Sequence, residues 1–289
     1  MGKMQEDARI IRNEEVARMT WLMRLHSPGI AARARPGQFG MVRVREGIDP
    51  LLRRPLSFHR IHSGKGEIEL LYRVAGKGTW WLSRCQPDSL VNITGPLGNG
   101  FTMPDNPSAA IALVAGGIGI APLFELMVRI SESRSKIKAE KMHLFYGARS
   151  ADELLPAAVF ESTDVSVHWS TDDGSFGFSG YVTELLEEWT ARAGFRPTEL
   201  FACGPLAMQH NVARWALARD IPVQLSLESL MACGIGACLG CALPAVHPGG
   251  SSAEHYVHVC KDGPIFSAGS IQWRKIRKQQ LPSPIFPCD

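Results

Sequence analysis

Residues 110–124 read AIALVAGGIGIAPLF, and this stretch decides the architecture. Ala110–Ala115 is an apolar run of strand length, uninterrupted by charge or proline. It stops at Gly116-Gly117-Ile118-Gly119, a turn whose glycines leave the backbone open to close approach. Pro122 follows in the first turn of the next element, where a missing N–H costs little. Leu123, Leu126, Met127 and Ile130 then recur at helical spacing. A buried strand running through a glycine turn into a helix is one unit of an open parallel sheet. Such a turn lets a pyrophosphate or nicotinamide ribose reach the backbone and the helix N-terminus. It departs from G-x-G-x-x-G, because Pro122 stands at the third glycine position, so alone it reads equally well as a tight strand–helix turn.

Downstream, the same alternation continues. Met142–Tyr146, Val165–Trp169, Glu199–Cys203 and Val223–Leu227 are strand candidates, and helical patterns occupy Tyr181–Ala193 and Leu206–Arg219. Cys203-Gly204-Pro205 repeats the strand–turn–helix arrangement. Two such turns at the carboxyl ends of parallel strands define a crevice for ligands. Cys203 stands at its floor or is simple apolar packing, and the residues leave both open. Residues 103–225 therefore form an α/β domain.

Upstream, residues 1–102 carry short strands such as Phe39–Val44 and Ile68–Val74. Turns at Pro36-Gly37, Gly64–Gly66, Gly76–Gly78 and Gly95–Gly100 separate them, which predicts a small antiparallel barrel. Within it, Arg53-Arg54-Pro55-Leu56-Ser57 closes a turn. Arg54 offers a fork of donors suited to phosphate and Ser57 a hydroxyl for a polar ring edge, although an Arg pair beside proline is more often a solvated turn. Leu71-Tyr72-Arg73 and Gly76-Lys77-Gly78-Thr79 would add a flat aromatic surface and further phosphate-facing amides.

Residues 226–273 show little periodicity and hold the cysteines Cys233-x4-Cys238-x2-Cys241-x18-Cys260. Three thiolates on a tight glycine-bearing loop, with a fourth returning from a distance, is the spacing of plant-type [2Fe–2S] clusters. A zinc site of four cysteines is the alternative, but such sites show two C-x2-C knuckles and only Cys238/Cys241 makes one. His247, His255 and His258 lie nearby, yet four cysteines already complete a set. Residues 274–289 form a basic, proline-bearing tail.

The whole chain has 289 residues, enough for two or three domains, with 45% hydrophobic and 20% charged residues. That balance argues against disorder and a membrane-embedded body. A net charge of +3 is too even to indicate a nucleic-acid partner. The charged N-terminus lacks the apolar core of a secretory signal, and no stretch suits a membrane span, so a cytoplasmic protein is expected. Seven cysteines, an odd number, do not suggest a disulfide framework; Cys85 and Cys288 have no role that the sequence defines.

Taken together, the motifs resemble the ferredoxin-reductase superfamily, and more closely the iron–sulfur electron-transfer subunits of NAD-linked, two-subunit dihydroorotate dehydrogenases. The resemblance rests on RRPLS (53–57), LYRVAGKGT (71–79), GPLGNGF (95–101), GGIGIAPL (116–123), CGPLAM (203–208), LESLMACGIGACLGCALP (227–244) and VCKDGPIF (259–266), in that order. It implies a multidomain β plus α/β protein: an antiparallel FAD-binding β-barrel (1–102), a parallel-sheet NAD-binding domain (103–225), and a small C-terminal [2Fe–2S] domain (226–273). By the same resemblance Arg54, Pro55, Leu56, Ser57, Leu71, Tyr72, Arg73, Gly78 and Thr79 hold FAD. Gly116, Gly117, Gly119, Cys203, Gly204 and Pro205 face NAD, and Cys233, Cys238, Cys241 and Cys260 ligate the cluster. Asp172-Asp173-Gly174-Ser175 resembles a loop near the dinucleotide. No catalytic acid, base or nucleophile is implied.

The implied function is passage of electrons between NAD and the FMN of a separate catalytic subunit, which oxidises dihydroorotate in pyrimidine biosynthesis. Two copies of each subunit are expected to assemble. A flavin suits the middle of such a chain, since nicotinamide gives up a hydride whereas an iron–sulfur cluster takes one electron at a time. The alternatives are the small subunit of a NADH-dependent ferredoxin–NADP or sulfide oxidoreductase and, from another class, a zinc-stabilised binding module.

Overall fold

The computed structural model describes residues 2–106, 108–133, 142–251 and 253–276. Its first part is a closed antiparallel barrel. Strands β1 (Met4–Ala17) and β2 (Thr20–His26) form a hairpin, and a helical turn α1 (Pro28–Ala31) follows. Next come β3 (Phe39–Arg43), β4 (Arg54–His62), β5 (Glu67–Arg73), the short helix α2 (Lys77–Ser83) and β6 (Leu90–Leu97). The barrel order is β1-β2-β5-β4-β3-β6, with β6 closing on β1. Period-two alternation fills the interior: Ile68, Leu70 and Tyr72 of β5 meet Ala8, Ile10, Met23, Leu25, Phe58 and Ile93 inside. The long charged β1 alternates too, with Asp7 and Arg9 outside and Ala8 and Ile10 inside.

The α/β part comprises β7 (Ile111–Gly116), α3 (Ile120–Ser133), β8 (Met142–Ala148), β9 (Ser166–Thr171), β10 (Phe178–Ser179), α4 (Val182–Ala193), β11 (Glu199–Cys203), α5 (Leu206–Leu217) and β12 (Val223–Ser226). The strands are parallel in the order β10-β9-β8-β7-β11-β12, and β7 is buried along its whole length, as a central parallel strand should be. The cysteine segment holds the hairpin β13 (Ala242–Ala245) and β14 (His255–His258), then β15 (Ile265–Ser267). β15 pairs antiparallel with β12, so the last module completes the edge of the α/β sheet.

The core explains why the modules stay together. One apolar cluster joins Phe39, Met41 and Leu97 of the barrel to sheet strands, to α4 and α5, and to Cys241, Leu243, Val259 and Cys260. A second packs Leu71 of β5 against Ala115, Ile120, Leu123 and Cys203. No helix among the described residues is long and apolar enough to cross a membrane. Of the tail predicted at 274–289, residues 274–276 continue from a turn at Trp273–Lys275, and 277–289, including Cys288, lie outside the described residues.

Candidate electron-transfer site

The cysteine loop sits on the barrel. Gly234 has φ +70, and a Cβ there would overlap Met41 on β3, so only glycine lets the loop lie this close. Cys233 is half-buried and Cys238 exposed, while Cys241 and Cys260 are buried. The thiols fall into two pairs. Cys241 Sγ lies 3.3 Å from Cys260 Sγ, and the amide of Cys260 points at Cys241 Sγ at 3.5 Å. Cys233 Sγ accepts from the amides of Ile235 and Cys238, each at 3.4 Å, and its thiol also faces that of Cys238. Burial works against ionising Cys233, but these donors outweigh it and lower its pKa to about 6. Cys260 is pushed the other way, to about 12, by burial first and then by Cys241. Two thiol pairs with inward amides suit a two-iron cluster better than one zinc ion.

The RRPLS segment, expected from the sequence to hold FAD, lies on the neighbouring strand, since Met41 of β3 pairs directly with Pro55 of β4. Arg54 and Ser57 are half-buried, with Pro55 between them, while Leu56 turns into the barrel core. The Arg54 guanidinium rests on Gly78, where a Cβ would overlap its Nε. Thr79 Oγ1 accepts from the Ala75 amide at 2.9 Å and donates to the Gly76 carbonyl at 3.1 Å, which holds the turn under that guanidinium. A rigid guanidinium cradle of this kind fits a phosphate-bearing cofactor.

One expectation for β5 needs correction. Tyr72 presents no flat aromatic surface: it is 1% exposed inside the barrel, and its hydroxyl donates to Asn13 Oδ1 at 2.8 Å. Arg73 beside it is held by an acid, with both its terminal nitrogens on Glu153, at 2.8 and 3.1 Å. The cause is the strand period, which sends Tyr72 inward with Ile68 and Leu70 and leaves Leu71 and Arg73 facing the α/β part. Leu71 packs there in the cluster that holds Ala115, Ile120 and Cys203, with Ile118 of the glycine turn against it.

The two glycine turns meet. Gly116 ends β7 and Cys203 ends β11, and these strands are sheet neighbours. A Cβ at Gly119 would overlap the Cys203 carbonyl, and one at Gly116 would crowd Pro205 and Met208, so the turns interlock. Gly117 has open space where a Cβ would stand and is half-buried. Gln209 braces the second turn by donating to the carbonyls of Gly204 at 2.8 Å and Ser226 at 3.0 Å. Cys203 is 1% exposed, and burial pushes its thiol up. In the Asp172–Ser175 loop, Ser175 Oγ accepts from the Ala151 amide at 2.8 Å.

Sequence reasoning missed the groups that hold barrel and crevice together. Glu153 gathers Arg18 and Arg73 from the barrel and Arg149 from its own loop, with Nη2–Oε1 separations of 2.8, 2.8 and 2.7 Å. Burial alone would raise its pKa, but Arg73 and Arg149 hold it at about 2. Glu125 of α3 is 1% exposed, accepts from the Ile61 amide at 3.1 Å, and pairs with Arg60 and Arg129 at 3.3 and 2.6 Å. Beside it, His59 of β4 is buried and stacks on Phe124 at 4.4 Å. A buried glutamate inside the apolar pattern of α3 was the one signal available.

Comparison with known proteins matches this geometry. Residues 228–272 match the iron–sulfur cluster binding domain of dihydroorotate dehydrogenase B, and residues 113–214 the oxidoreductase NAD-binding domain. A Desulforamulus reducens protein, the electron transfer subunit of dihydroorotate dehydrogenase B (NAD(+)), is 39% identical over 92% of this chain and 98% of its own. The Geobacillus thermodenitrificans subunit of the same name is 37% identical over 92% and 98%. The solved structure of a NADH-dependent reduced ferredoxin–NADP oxidoreductase superposes with TM-score 0.78 and 26% identity over 95% of both chains. The ferredoxin reductase of a carbazole 1,9a-dioxygenase shares the fold, at TM-score 0.63 over 78% of this chain and 69% of its own. With a barrel, an α/β crevice and a four-cysteine loop in one chain, and relatives alike over nearly their full length, the protein belongs to the family of electron transfer subunits of NAD-linked dihydroorotate dehydrogenase B.

Proposed function

We propose that this chain carries electrons between NAD and the FMN of a dihydroorotate-oxidising catalytic subunit, using FAD and a [2Fe–2S] cluster of its own. Bound FAD would accept or give a hydride on the nicotinamide side and single electrons on the cluster side. The chain's residues supply position and environment. Arg54, over Gly78, holds the phosphates, and Ser57 presents a hydroxyl to the flavin edge. Leu71, Arg73 and Thr79 shape the barrel face and its turn, while Tyr72 contributes only backbone there. Gly117 leaves the crevice open for the dinucleotide, and the interlocked Gly116, Gly119 and Cys203–Pro205 form its floor. Cys233, Cys238, Cys241 and Cys260 would hold the cluster. The observation that carries this reading is that the cysteine loop rests on β3 while the flavin motif occupies the adjacent β4.

The assembly proposed is two copies of this chain with two catalytic subunits, in the cytoplasm, where its thiols stay reduced. Six cysteines among the described residues are free, in keeping with that compartment. Co-expression with the catalytic subunit tests the reading. A stable complex containing FMN, FAD and iron, in which dihydroorotate reduces NAD, supports it. A second reading, the small subunit of a ferredoxin–NADP oxidoreductase, is favoured by the superposition at TM-score 0.78. It would be preferred if the copurifying chain were a larger flavoprotein without FMN.

A further inference from the structure

The motif GPLGNGF ends β6, and its Asn99 does something that no cofactor role explains. Its side-chain amide makes three hydrogen bonds, all to the backbone of the segment just after Cys260. Nδ2 donates to the carbonyls of Asp262 at 3.0 Å and Ile265 at 2.8 Å, and Oδ1 accepts from the Ile265 amide at 2.9 Å. The Asn99 amide itself donates to the Gly263 carbonyl at 2.6 Å, and Gly98 lies so close to Gly263 and Pro264 that a Cβ would overlap them. Asparagine is the shortest side chain that offers two donors and an acceptor in one plane, and here all three are used.

The position of this clasp gives it a consequence. Leu97, two residues earlier, lies 3.4 Å from where a Gly234 side chain would begin, so the end of β6 touches both the 233–241 loop and the Cys260 segment. Gln224 of β12 binds the next residues from the other side, with Oε1 and Nε2 on the amide and carbonyl of Thr102 at 2.9 and 3.0 Å. Between β6 and the flavin motif lies only β3, which pairs with both β6 and β4. The segment 97–102 therefore fixes where Cys260 stands relative to the flavin strand.

We propose that Asn99 is a positioning residue for electron transfer between FAD and the cluster: it holds the segment of the fourth ligand at a set distance from β4. This rests on the function proposed above. The full chain with its cofactors is the material, compared as parent, Asn99→Ser and Asn99→Ala. Asn99→Ser keeps a single hydroxyl donor and acceptor, so it is the milder break. Three quantities are read: backbone hydrogen exchange at 259–266, flavin bleaching on mixing with NADH, and the paramagnetic signal of the reduced cluster in freeze-quenched samples.

In Asn99→Ala, exchange at the Ile265 amide speeds up by about tenfold, the factor that roughly 1.4 kcal/mol represents. FAD content and bleaching by NADH stay within about twofold of the parent, while the cluster signal appears about tenfold later or more; Asn99→Ser falls between. Should Asn99→Ala lose its iron, the delay in Asn99→Ser decides the matter. Faster exchange with an unchanged delay between bleaching and cluster signal, in whichever variant keeps iron, would make Asn99 a structural tie only and overturn the proposal. A parent protein with no cluster signal at all would instead overturn the proposed function, so the two failures are distinct.

Discussion

At the scale of single residues, charge placement carries the main consequences. Arg54 is held over Gly78 with its guanidinium half-buried, and the proposed phosphate contact is a charge-assisted hydrogen bond worth about 1.5–3 kcal/mol. Arg54→Ala should therefore weaken FAD binding by roughly 10- to 150-fold, read as flavin retained after dialysis. Unchanged retention would make Arg54 an ordinary turn residue. Glu153 tests the interdomain joint. Its pKa is depressed from 4.5 to about 2, so the stability it contributes is complete above pH 4.5 and is lost as pH falls through 2. Glu153→Gln should cost about 1.5–3 kcal/mol in denaturant unfolding at pH 7 and leave a flatter stability curve below pH 4.5. A curve parallel to the parent's would mean that the three arginines do not depend on this carboxylate. Much of this scale was hidden in the sequence. RRPLS announced a phosphate fork, but nothing local announced that Arg73 would be held by Glu153, 80 residues away.

At the scale of elements, the joint between α3 and β4 matters most. The helix that leaves the glycine turn is stapled to the strand that bears the flavin motif by Glu125, Arg60 and Arg129 and by His59 on Phe124. The helix after the glycine turn and the strand that bears RRPLS are thereby one packed pair. His59 Nδ1 is buried without a partner among the described residues, and desolvation lowers the imidazole pKa from 6.5 to about 4, opposed by Glu69 and by a hydrogen bond to the Ala121 backbone. The unfolded chain thus binds a proton between pH 4 and 6.5 that the folded one refuses. The associated stability is complete above pH 6.5 and is lost as pH falls through 4. His59→Phe, which keeps a flat ring against Phe124, should be close to neutral at pH 7.5 and relatively stabilising at pH 5, measured as the shift in Tm between those pH values. A larger acid sensitivity in the variant would contradict the assignment. Element types were legible because period and punctuation are local. Leu206–Arg219 is a helix over Leu206–Leu217, and Ile68–Val74 a strand over Glu67–Arg73. Strand parity was legible too, and reading Ile68, Leu70 and Tyr72 as one face would have placed the tyrosine inside. β1 escaped notice because its charges mask a period-two pattern whose inner face holds small or isolated apolar residues such as Ala8 and Ile10.

At the scale of the molecule, three cofactor-bearing regions share continuous packing. Cys241 and Cys260 lie in the same core cluster as Met41 and Leu97 of the barrel and Leu225 of the sheet, and β15 returns from the cysteine module to complete that sheet. The spacing C-x4-C-x2-C-x18-C announced the cluster, but no spacing foretells that its last segment becomes a sheet edge, because that pairing is set by Asn99 and β12 across long separations. The function proposed here puts the RRPLS strand between a nicotinamide crevice and a cluster loop, which is the central claim. The measurement that tests it most directly is anaerobic addition of NADH to the purified chain, after iron, sulfide and FAD have been assayed. The account predicts two irons and two sulfides with one FAD per chain, bleaching of the flavin absorbance, and the paramagnetic signal of a reduced [2Fe–2S] cluster. A colourless protein containing zinc, or a flavin that bleaches while the bound cluster stays oxidised, would contradict it.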